Sequence, residues 1–392
     1  MKYLTPELSI RCSGVFLSVY FENTILLLTK ALTNDLINGV DVTFNHEYGE
    51  PRMNHKVSIK DIAKIANVSI ATVSNVINGT GRVSSETASK VNKVIRELQF
   101  VPSASARSLK DKNSHLIAVV VPFIEKGILQ DNPFYWELVR GVENGARFHE
   151  VQVILLGIDE HEDFSFVKGR HLDGLIVVGV YEDSAAYAKI LSLGVPCVFL
   201  DSYLSDPKLY QVDLDDEAGG YLGTKHLIGL GHRAIAVLTG KMEQGGVNDH
   251  RYQGYLRALQ ESGIPSLPEL IFEVDSSAQG GYQAAQRISG CRERISAVFA
   301  FSDISAMGLI RGLYDIGLRV PDDISVVGFD DIFYTQHMIP SLTTIRQDIV
   351  SKGQTAVNML LDQINGTESQ RRKVTVPVSL VVRQSTIPSK KI

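Results

Sequence analysis

The chain has 392 residues, 44% of them hydrophobic and 21% charged, which is the composition of an ordinary globular protein with room for two or three domains. The three cysteines, Cys12, Cys197 and Cys291, lie far apart, so neither a disulfide framework nor a cysteine-based metal site is indicated, and we expect no cofactor. A net charge of −5 by itself argues against a nucleic-acid binder.

The first 52 residues lack the regular pattern of the remainder. Apolar runs at 15–20 and 25–28 are interrupted and are much shorter than the ~20 apolar residues of a membrane span. They also lack the unbroken apolar core of a signal peptide. We therefore predict no membrane association and a cytoplasmic protein. Met53 directly precedes the patterned region, and our hypothesis is that residues 1–52 are an upstream extension outside the natural fold.

The next segment is basic although the whole chain is acidic. Residues 56–112 contain ten Lys and Arg against four Asp and Glu, a local charge of +6 that leaves −11 on the remainder. A small basic unit on an acidic body is typical of a DNA-binding head joined to a regulatory domain. On charge alone, a solvated basic surface with no partner fits equally well.

Residues 58–98 show the pattern of three short helices. Ser58 and Asp61 resemble a capping box opening a helix at 59–66, Ser69 can cap a second helix from 70 to about 77, and Ser84 can cap a third to about 98. Two short helices around a tight turn suit a helix-turn-helix, whose second helix enters the major groove. We take 53–102 as this DNA-binding domain; a three-helix cap with no ligand is the alternative.

The second of these helices carries the candidate base-reading residues. Spacing puts Ala71 and Asn75 on one face, with Ile70 beside them. Asparagine can bond adenine through two hydrogen bonds, and Ile or Ala can contact a thymine methyl. The side chains that could bond phosphate oxygens are hydroxyls and an amide, at Ser58, Ser69, Thr72, Ser74, Asn78, Ser84 and Thr87.

From residue 115 onward, apolar runs of strand length alternate with helical segments. The runs lie at 116–121, 151–156, 174–178, 195–200, 235–238, 297–301 and 324–327, and helical segments include 137–149, 219–230 and 252–262. Buried strands alternating with helices predict parallel sheets covered on both faces. About 250 residues favour two such sheets over one.

Polar side chains follow several of these strands and could bind a ligand. Asp201, Asp303 and Asp330 come at strand ends, and Arg251 follows a glycine-containing loop. Carboxylates are strong acceptors and a guanidinium supplies paired donors, a combination that suits sugar hydroxyls. An aspartate after a strand can equally be a helix cap, and Asp330 or Arg251 could be structural. The phosphate-cradling and nucleophile-elbow motifs are missing, so no enzyme is expected.

The head also carries a family resemblance. The stretches VSIKDIAKIANVSIATVSNVIN (57–78) and VPSASARSL (101–109) resemble the signature of the lactose/galactose-repressor (LacI/GalR) family, and the likeness extends over 56–387. This resemblance implies a homodimeric transcriptional regulator, usually a repressor, that binds double-stranded operator DNA. It implies base-reading roles for Ile70, Ala71 and Asn75; Asn75 departs from a frequent arginine, which leaves the operator sequence open.

The resemblance gives a function to the segment that follows the head. Composition alone predicts a flexible linker at 103–112. The family implies a hinge helix that forms in the DNA minor groove, with Ala106, Arg107 and Leu109 at the contact. Leu109 matches the family's intercalating leucine, which unstacks a base step and kinks the duplex.

The remainder, 113–392, resembles a periplasmic-binding-protein type sensor with two doubly wound parallel-sheet lobes. The family implies an N-terminal lobe at about 113–213 and 348–377 and a C-terminal lobe at about 214–347 and 378–392. The effector, expected to be a sugar or sugar derivative, would lie in the cleft at the carboxyl ends of the strands. A transport sugar-binding protein would fit the lobes but would have no use for 56–112.

Family ligand contacts can be carried over residue by residue. Arg251, Asp330 and Gln347 match such positions, as does Asp201. Ser302 stands where an asparagine is usual, before Asp303. Ser276 replaces a stacking tryptophan found in some relatives, so the flat-ring contact would come from Phe123 or Phe134.

Overall fold

The computed structural model describes residues 7–12, 15–20, 57–77, 79–98, 100, 113–122, 132–158, 163–291, 294–367 and 371–390. They fall into two compact units, 1–102 and 103–392. In the first unit, β1 (Glu7–Cys12) and β2 (Val15–Tyr20) pair antiparallel. The sequence did not predict this pairing.

The head consists of three short helices, α1 (Ile59–Ala66), α2 (Ile70–Ile77) and α3 (Ser85–Glu97), as predicted. Asn67 ends α1 in the left-handed conformation (φ 53°), which short polar side chains tolerate best among non-glycine residues. This turns the chain tightly into α2. The buried core is small and apolar, made by Ile62, Ala63, Ala66, Val73, Val91 and Val94.

The second unit contains two sheets, each covered by helices. The first lobe is built from β3 (Leu116–Pro122), α4 (Pro133–Phe148), β4 (Gln152–Ile158), α5 (Ser165–Gly169), β5 (Gly174–Val178), α6 (Ala185–Ser192), β6 (Cys197–Leu200) and β7 (Tyr210–Leu214). The second lobe begins with α7 (Asp216–Gly229), β8 (Ile235–Thr239), α8 (Val247–Glu261), β9 (Ile271–Glu273), α9 (Ala278–Gly290), β10 (Ala297–Ala300), α10 (Asp303–Asp315), β11 (Ser325–Asp330) and β12 (Thr343–Gln347).

The chain then crosses between the lobes twice more. Helix α11 (Ile349–Ile364) and β13 (Lys373–Val376) return to the first lobe, and β14 (Val378–Val381) joins the second. The strand orders are β13-β7-β6-β5-β3-β4 and β14-β12-β11-β10-β8-β9. All pairings are parallel except β12 with β14. The prediction of two doubly wound parallel-sheet lobes is confirmed, with one antiparallel edge strand added.

Close helix packing fixes the position of one candidate side chain. Helices α7 and α8 cross at glycines: a Cβ on Gly220 would lie 1.9 Å from the Arg251 carbonyl oxygen, and one on Gly254 would lie 2.0 Å from that of Glu217. Only glycine allows the two backbones to approach this closely. The backbone of Arg251 is therefore held directly against α7.

The lobes are packed against each other in this structure. Ile332 and Met307, from the second lobe, pack with the apolar core of the first, and the Phe333 N–H donates to Glu137 across the gap at 3.1 Å. Strands β6, β11 and β12 end at this junction, where the parallel topology collects side chains from both sheets.

Candidate functional site

The head presents the predicted base-reading residues on its surface. Ile70 is 50% exposed and Ala71 is exposed, while Asn75 is half-buried. Val73, between them in sequence, is fully buried and anchors α2 to the head core. An exposed isoleucine on so short a helix is an apolar surface able to meet a thymine methyl group.

The predicted phosphate-contacting hydroxyls serve mainly as caps in this structure. Ser69 accepts from the Thr72 N–H (3.0 Å) and Ser84 from the Thr87 N–H (3.2 Å). Both remain exposed, so phosphate contacts are compatible with capping. Ser58 donates from both its N–H and its hydroxyl to Asp61 (2.8 and 2.6 Å), so the hydroxyl would have to turn away from Asp61 to bond a phosphate; that role stays a prediction. Ser74 is half-buried.

The head also carries exposed positive charge. The cations of the described head are exposed, which lets their charge reach solvent and any polyanion: Lys60, Lys64, Arg82, Lys90, Lys93 and Arg96. Several predicted residues lie outside the described part of the chain, namely Asn78, the hinge residues Ala106, Arg107 and Leu109, and Phe123.

At the lobe junction the structure brings three predicted effector residues together. The side-chain amide nitrogen of Gln347 donates to Asp330 Oδ1 at 2.6 Å, and its amide oxygen, Oε1, accepts from Lys352 Nζ at 2.7 Å. Lys352 also donates to Asp201 Oδ2 at 2.7 Å. The ends of β6, β11 and β12 are thereby joined through one ammonium group, which the sequence analysis did not identify.

Two of these carboxylates have unusual backbone conformations. Asp201 has φ 50° and Asp330 has φ 122°, in the region that non-glycine residues rarely adopt. Such conformations persist only where the surrounding structure enforces them, and they concentrate at functional sites. The turn after each strand directs these carboxylates to the junction.

Arg251 completes the cluster from the second lobe. Its Nε donates to Asp216 Oδ1 at 2.6 Å, another nitrogen donates to the Phe301 carbonyl, and Nη2 lies 3.8 Å from Asp330. The guanidinium carbon is 3.5 Å from the centroid of the Phe329 ring, so the cation stacks on an aromatic face. Asp216 is a second residue that the sequence analysis missed.

Tyr203 links Asp216 back to the first lobe. Its hydroxyl donates to the Asp216 carboxylate and lies 2.9 Å from the Leu214 carbonyl, and its ring lies 4.2 Å from that of His250. These polar side chains therefore run from one sheet to the other and back. We call them the cross-lobe polar cluster: Asp201, Tyr203, Asp216, Arg251, Asp330, Gln347 and Lys352.

Two predicted effector residues have structural roles here. Asp303 is fully buried; its two oxygens accept from the Thr344 hydroxyl (2.6 Å) and from the Ile332 N–H (3.0 Å). Ser302 caps α10: its hydroxyl oxygen accepts from the Ser305 N–H (3.4 Å), and its O–H donates to Ser305 Oγ (2.8 Å). The Asp303 carboxylate thus joins β12 to the loop after β11 inside the second lobe, and its role as an effector contact stays a prediction.

Phe134 does lie at the junction, but a protein cation occupies its face. Lys352 Nζ lies 5.1 Å from the centroid of the Phe134 ring, which meets Tyr135 edge-on at 5.3 Å. A cation this close to a ring face is attracted by the ring quadrupole. A ligand stacking on Phe134 would have to displace or accompany the ammonium.

Burial controls the electrostatics of the cluster. Burial raises the pKa of Asp330 to about 6, against the attraction of Arg251. It also raises the pKa of Asp201, where the Lys352 charge opposes the effect, and it raises the pKa of Asp303 well above its ordinary value. Desolvation penalises each charged form more than the neighbouring cations (for Asp201 and Asp330) or the hydrogen-bond donors (for Asp303) compensate.

Other site types find no support in the described ranges. Within them, no three His, Cys, Asp or Glu side chains gather as a metal site would require. Nor does any helix there combine the length and the apolar character needed to cross a bilayer.

Comparison with known proteins matches both units. Residues 58–103 match the family model for bacterial regulatory proteins of the lacI family, and residues 224–386 match the periplasmic binding protein-like domain. The HTH-type transcriptional repressor PurR of Erwinia tasmaniensis is 36% identical over 336 residues, 84% of this chain and 96% of the relative.

Solved structures give the same result. A lac repressor dimer bound to operator and the anti-inducer ONPF has a TM-score of 0.74 and 30% identity, covering 84% of this chain and 99% of that one. A LacI family regulator from Enterococcus faecium with bound ribose has a TM-score of 0.62 and 33% identity, covering 70% of this chain and all of the other. In each case the relative is covered almost completely.

Proposed function

Because the chain belongs to the LacI family of bacterial regulatory proteins, we propose that it is a sequence-specific transcriptional repressor, acting in the cytoplasm, whose affinity for operator DNA is set by a small ligand bound between its lobes. Proteins of this family are regulators and not enzymes. The observation that carries the proposal is the cross-lobe polar cluster, because it joins the two lobes where a ligand would have to bind.

On the DNA side, α2 enters the major groove of each half of a pseudopalindromic operator, one head per protomer of a homodimer. Two-fold protein symmetry matches two-fold DNA symmetry. Ile70, Ala71 and Asn75 contact bases, and the exposed hydroxyls and cations of the head hold phosphates. Residues 103–112 form the hinge, with Leu109 as a minor-groove wedge beside Ala106 and Arg107.

On the ligand side, Arg251, Asp330, Gln347 and Asp201 contact the effector. Asp201 is already linked to Gln347 and Asp330 across the junction through Lys352, so an effector must replace contacts that hold the lobes together. Ligand binding is thus coupled to lobe closure. The ligand changes the affinity for DNA by the same factor by which DNA changes the affinity for the ligand. The ribose-bound relative makes sugars the first effectors to test.

The DNA proposal is tested by replacing one base-reading side chain. The operator is selected from random duplexes, and binding is followed by fluorescence anisotropy at fixed salt, since salt controls the phosphate contribution. Asn75→Ala is expected to lose about 1–3 kcal/mol of discrimination at one base pair of each half-site. The matched control is Asn92→Ala, an exposed position on α3, which should leave the base preference unchanged.

The hinge has its own test. Leu109→Ala is expected to weaken operator binding by at least tenfold, about 1.4 kcal/mol, while the thermal unfolding of the sensor stays the same. A mutant with unchanged operator affinity would remove Leu109 from the mechanism and leave the head as the only DNA contact.

A further inference from the structure

The structure assigns a ligand-selecting role to Lys352, a residue of α11 that no sequence feature singled out. We propose that Lys352 and Asp201 together bind a hydroxyl group of the effector, and that the cluster around them selects an uncharged polyhydroxylated ligand over phosphorylated or carboxylated ones. This inference rests on the proposed function, since it takes the junction between the lobes as the effector site.

The first observation is an unpaired donor beside an unpaired acceptor. Lys352 is 1% exposed, and two acceptors, on Asp201 and Gln347, take hydrogens from its ammonium, which has three. Asp201 is also buried, and its second oxygen, Oδ1, has no hydrogen-bond partner in the described part of the chain. A hydroxyl both donates and accepts, so one hydroxyl can accept from Lys352 and donate to Asp201 at once.

The second observation is that these groups face both lobes. Asp201 follows β6 of the first lobe, Gln347 ends β12 of the second, and Lys352 lies one turn into the helix that follows the crossing. All three are buried in this structure, and the bond between Lys352 and Gln347 crosses from one lobe to the other, so parting the lobes breaks that bond. A polyol can satisfy the same donors and acceptors that the lobes satisfy for each other.

The third observation concerns charge. Each cation of the cluster is committed: Lys352 to Asp201, and Arg251 to Asp216 with Asp330 beyond it at 3.8 Å. Three carboxylates thus share two cations, which leaves a negative surplus. A phosphate ester, with a charge of about −1.5 to −2 at neutral pH, would find no uncommitted cation within the cluster and would be repelled by the third carboxylate.

The test uses the full chain and measures stabilisation by defined probes. Thermal unfolding is followed with ribose, glucose and cellobiose, with the phosphate esters of ribose and glucose, and with gluconate, each at about 10 mM, because a ligand that binds only the folded state raises its stability. We expect stabilisation by at least one uncharged sugar and a dissociation constant at least tenfold weaker for its charged derivative.

Variants separate a binding role from a folding role. Lys352→Met removes the ammonium but keeps the chain length, and should weaken binding of the stabilising sugar at least tenfold. Since this leaves the Asp201 carboxylate buried without a counter-charge, the double variant Asp201→Asn/Lys352→Met serves as a second, charge-balanced test of the same loss. Lys373→Met is the matched control: it breaks an ion pair with buried Asp213 in the same lobe (3.1 Å) and should bind the sugar as the wild type does.

The outcomes distinguish the two proposals. If the wild type binds no DNA selectively, the proposed function fails. If it binds DNA, the hydroxyl-site inference is overturned by a phosphate ester or sugar acid that stabilises at least as well as its parent sugar. It is likewise overturned if Lys352→Met keeps the full sugar response, or if no uncharged sugar stabilises the wild type.

Discussion

Burial, and not distance, should determine the energy of the ion pairs between α7 and α8, because these helices carry two pairs of equal length. Arg251 with Asp216 and Arg257 with Glu217 both measure 2.6 Å between nitrogen and oxygen. The side chains of the first pair are 7% and 1% exposed, and those of the second are 46% and 43% exposed. Two substitutions to the matching amide, Asp216→Asn and Glu217→Gln, therefore compare the same change in two environments.

The expected magnitudes follow from the surroundings. At an effective dielectric constant of about 20 and a separation of about 4 Å, two unit charges attract by ~4 kcal/mol. Losing one partner of a buried pair also leaves the other uncompensated, so Asp216→Asn should lower the free energy of unfolding by about 3–5 kcal/mol. Glu217→Gln should lower it by less than about 1 kcal/mol.

The assay can be confined to the sensor. Trp136 is the only tryptophan in the chain and lies on α4 of the second unit, so its fluorescence in a urea titration reports that unit. The double variant Asp216→Asn/Arg251→Met should lose less stability than the sum of its single variants, since neither member of the pair is then left as a buried charge without the other. Equal losses for Asp216→Asn and Glu217→Gln would refute the argument from burial.

Three further predictions concern the same lobe. Burial raises the folded-state pKa of Asp330 to about 6 from an ordinary 3.8, so between those pH values only the folded protein binds a proton at this carboxylate. As the pH falls from 7 to about 5, the wild type should therefore gain stability relative to Asp330→Asn. Urea titrations at each pH measure the difference. Gly220→Ala should lower the free energy of unfolding by about 1–3 kcal/mol or more, because its Cβ would lie 1.9 Å from a backbone oxygen. Gly229→Ala on the same helix has open space around it and should not destabilise the protein. Thermal unfolding of the two variants measures the difference. Asp303→Asn should lose about 1–3 kcal/mol of stability because it disturbs bonds to Thr344 and Ile332, and it should leave the ligand dissociation constant unchanged in a binding titration. Weaker ligand binding by the variant would instead support the effector role predicted for Asp303.

Most of the framework could be predicted because its signals are local. The caps Ser58, Ser69 and Ser84 mark the starts of the three head helices, and the run Gly174–Val178 coincides with a fully buried strand. Several strands were missed, and three of them show why. Tyr210–Leu214, Lys373–Val376 and Val378–Val381 are short, and polar residues interrupt each of them. Their strand character comes from pairing with distant partners.

The site was only partly predictable for the same reason. Asp201 and Asp330 could be identified because parallel strands deliver their ends to one edge. The direction of Asp303 could not, since a residue in the first turn of a helix can face a cleft or the sheet beneath it. The burial of Lys352 could not be predicted from its neighbours in sequence, because a lysine on a helix is usually exposed. It becomes a buried donor only because Asp201 and Gln347 approach it in the folded chain.

The central claim is that this protein reads a symmetric DNA sequence under the control of a ligand in its cleft. The most direct measurement is the dissociation constant for a duplex selected from random sequence, against its scrambled version, with and without the sugar that stabilises the sensor. We predict a pseudopalindromic site bound at least ~10³-fold more tightly than the scrambled duplex, with an affinity that changes when the sugar is added. Equal binding to both duplexes, or a preference that no sensor ligand alters, would contradict it.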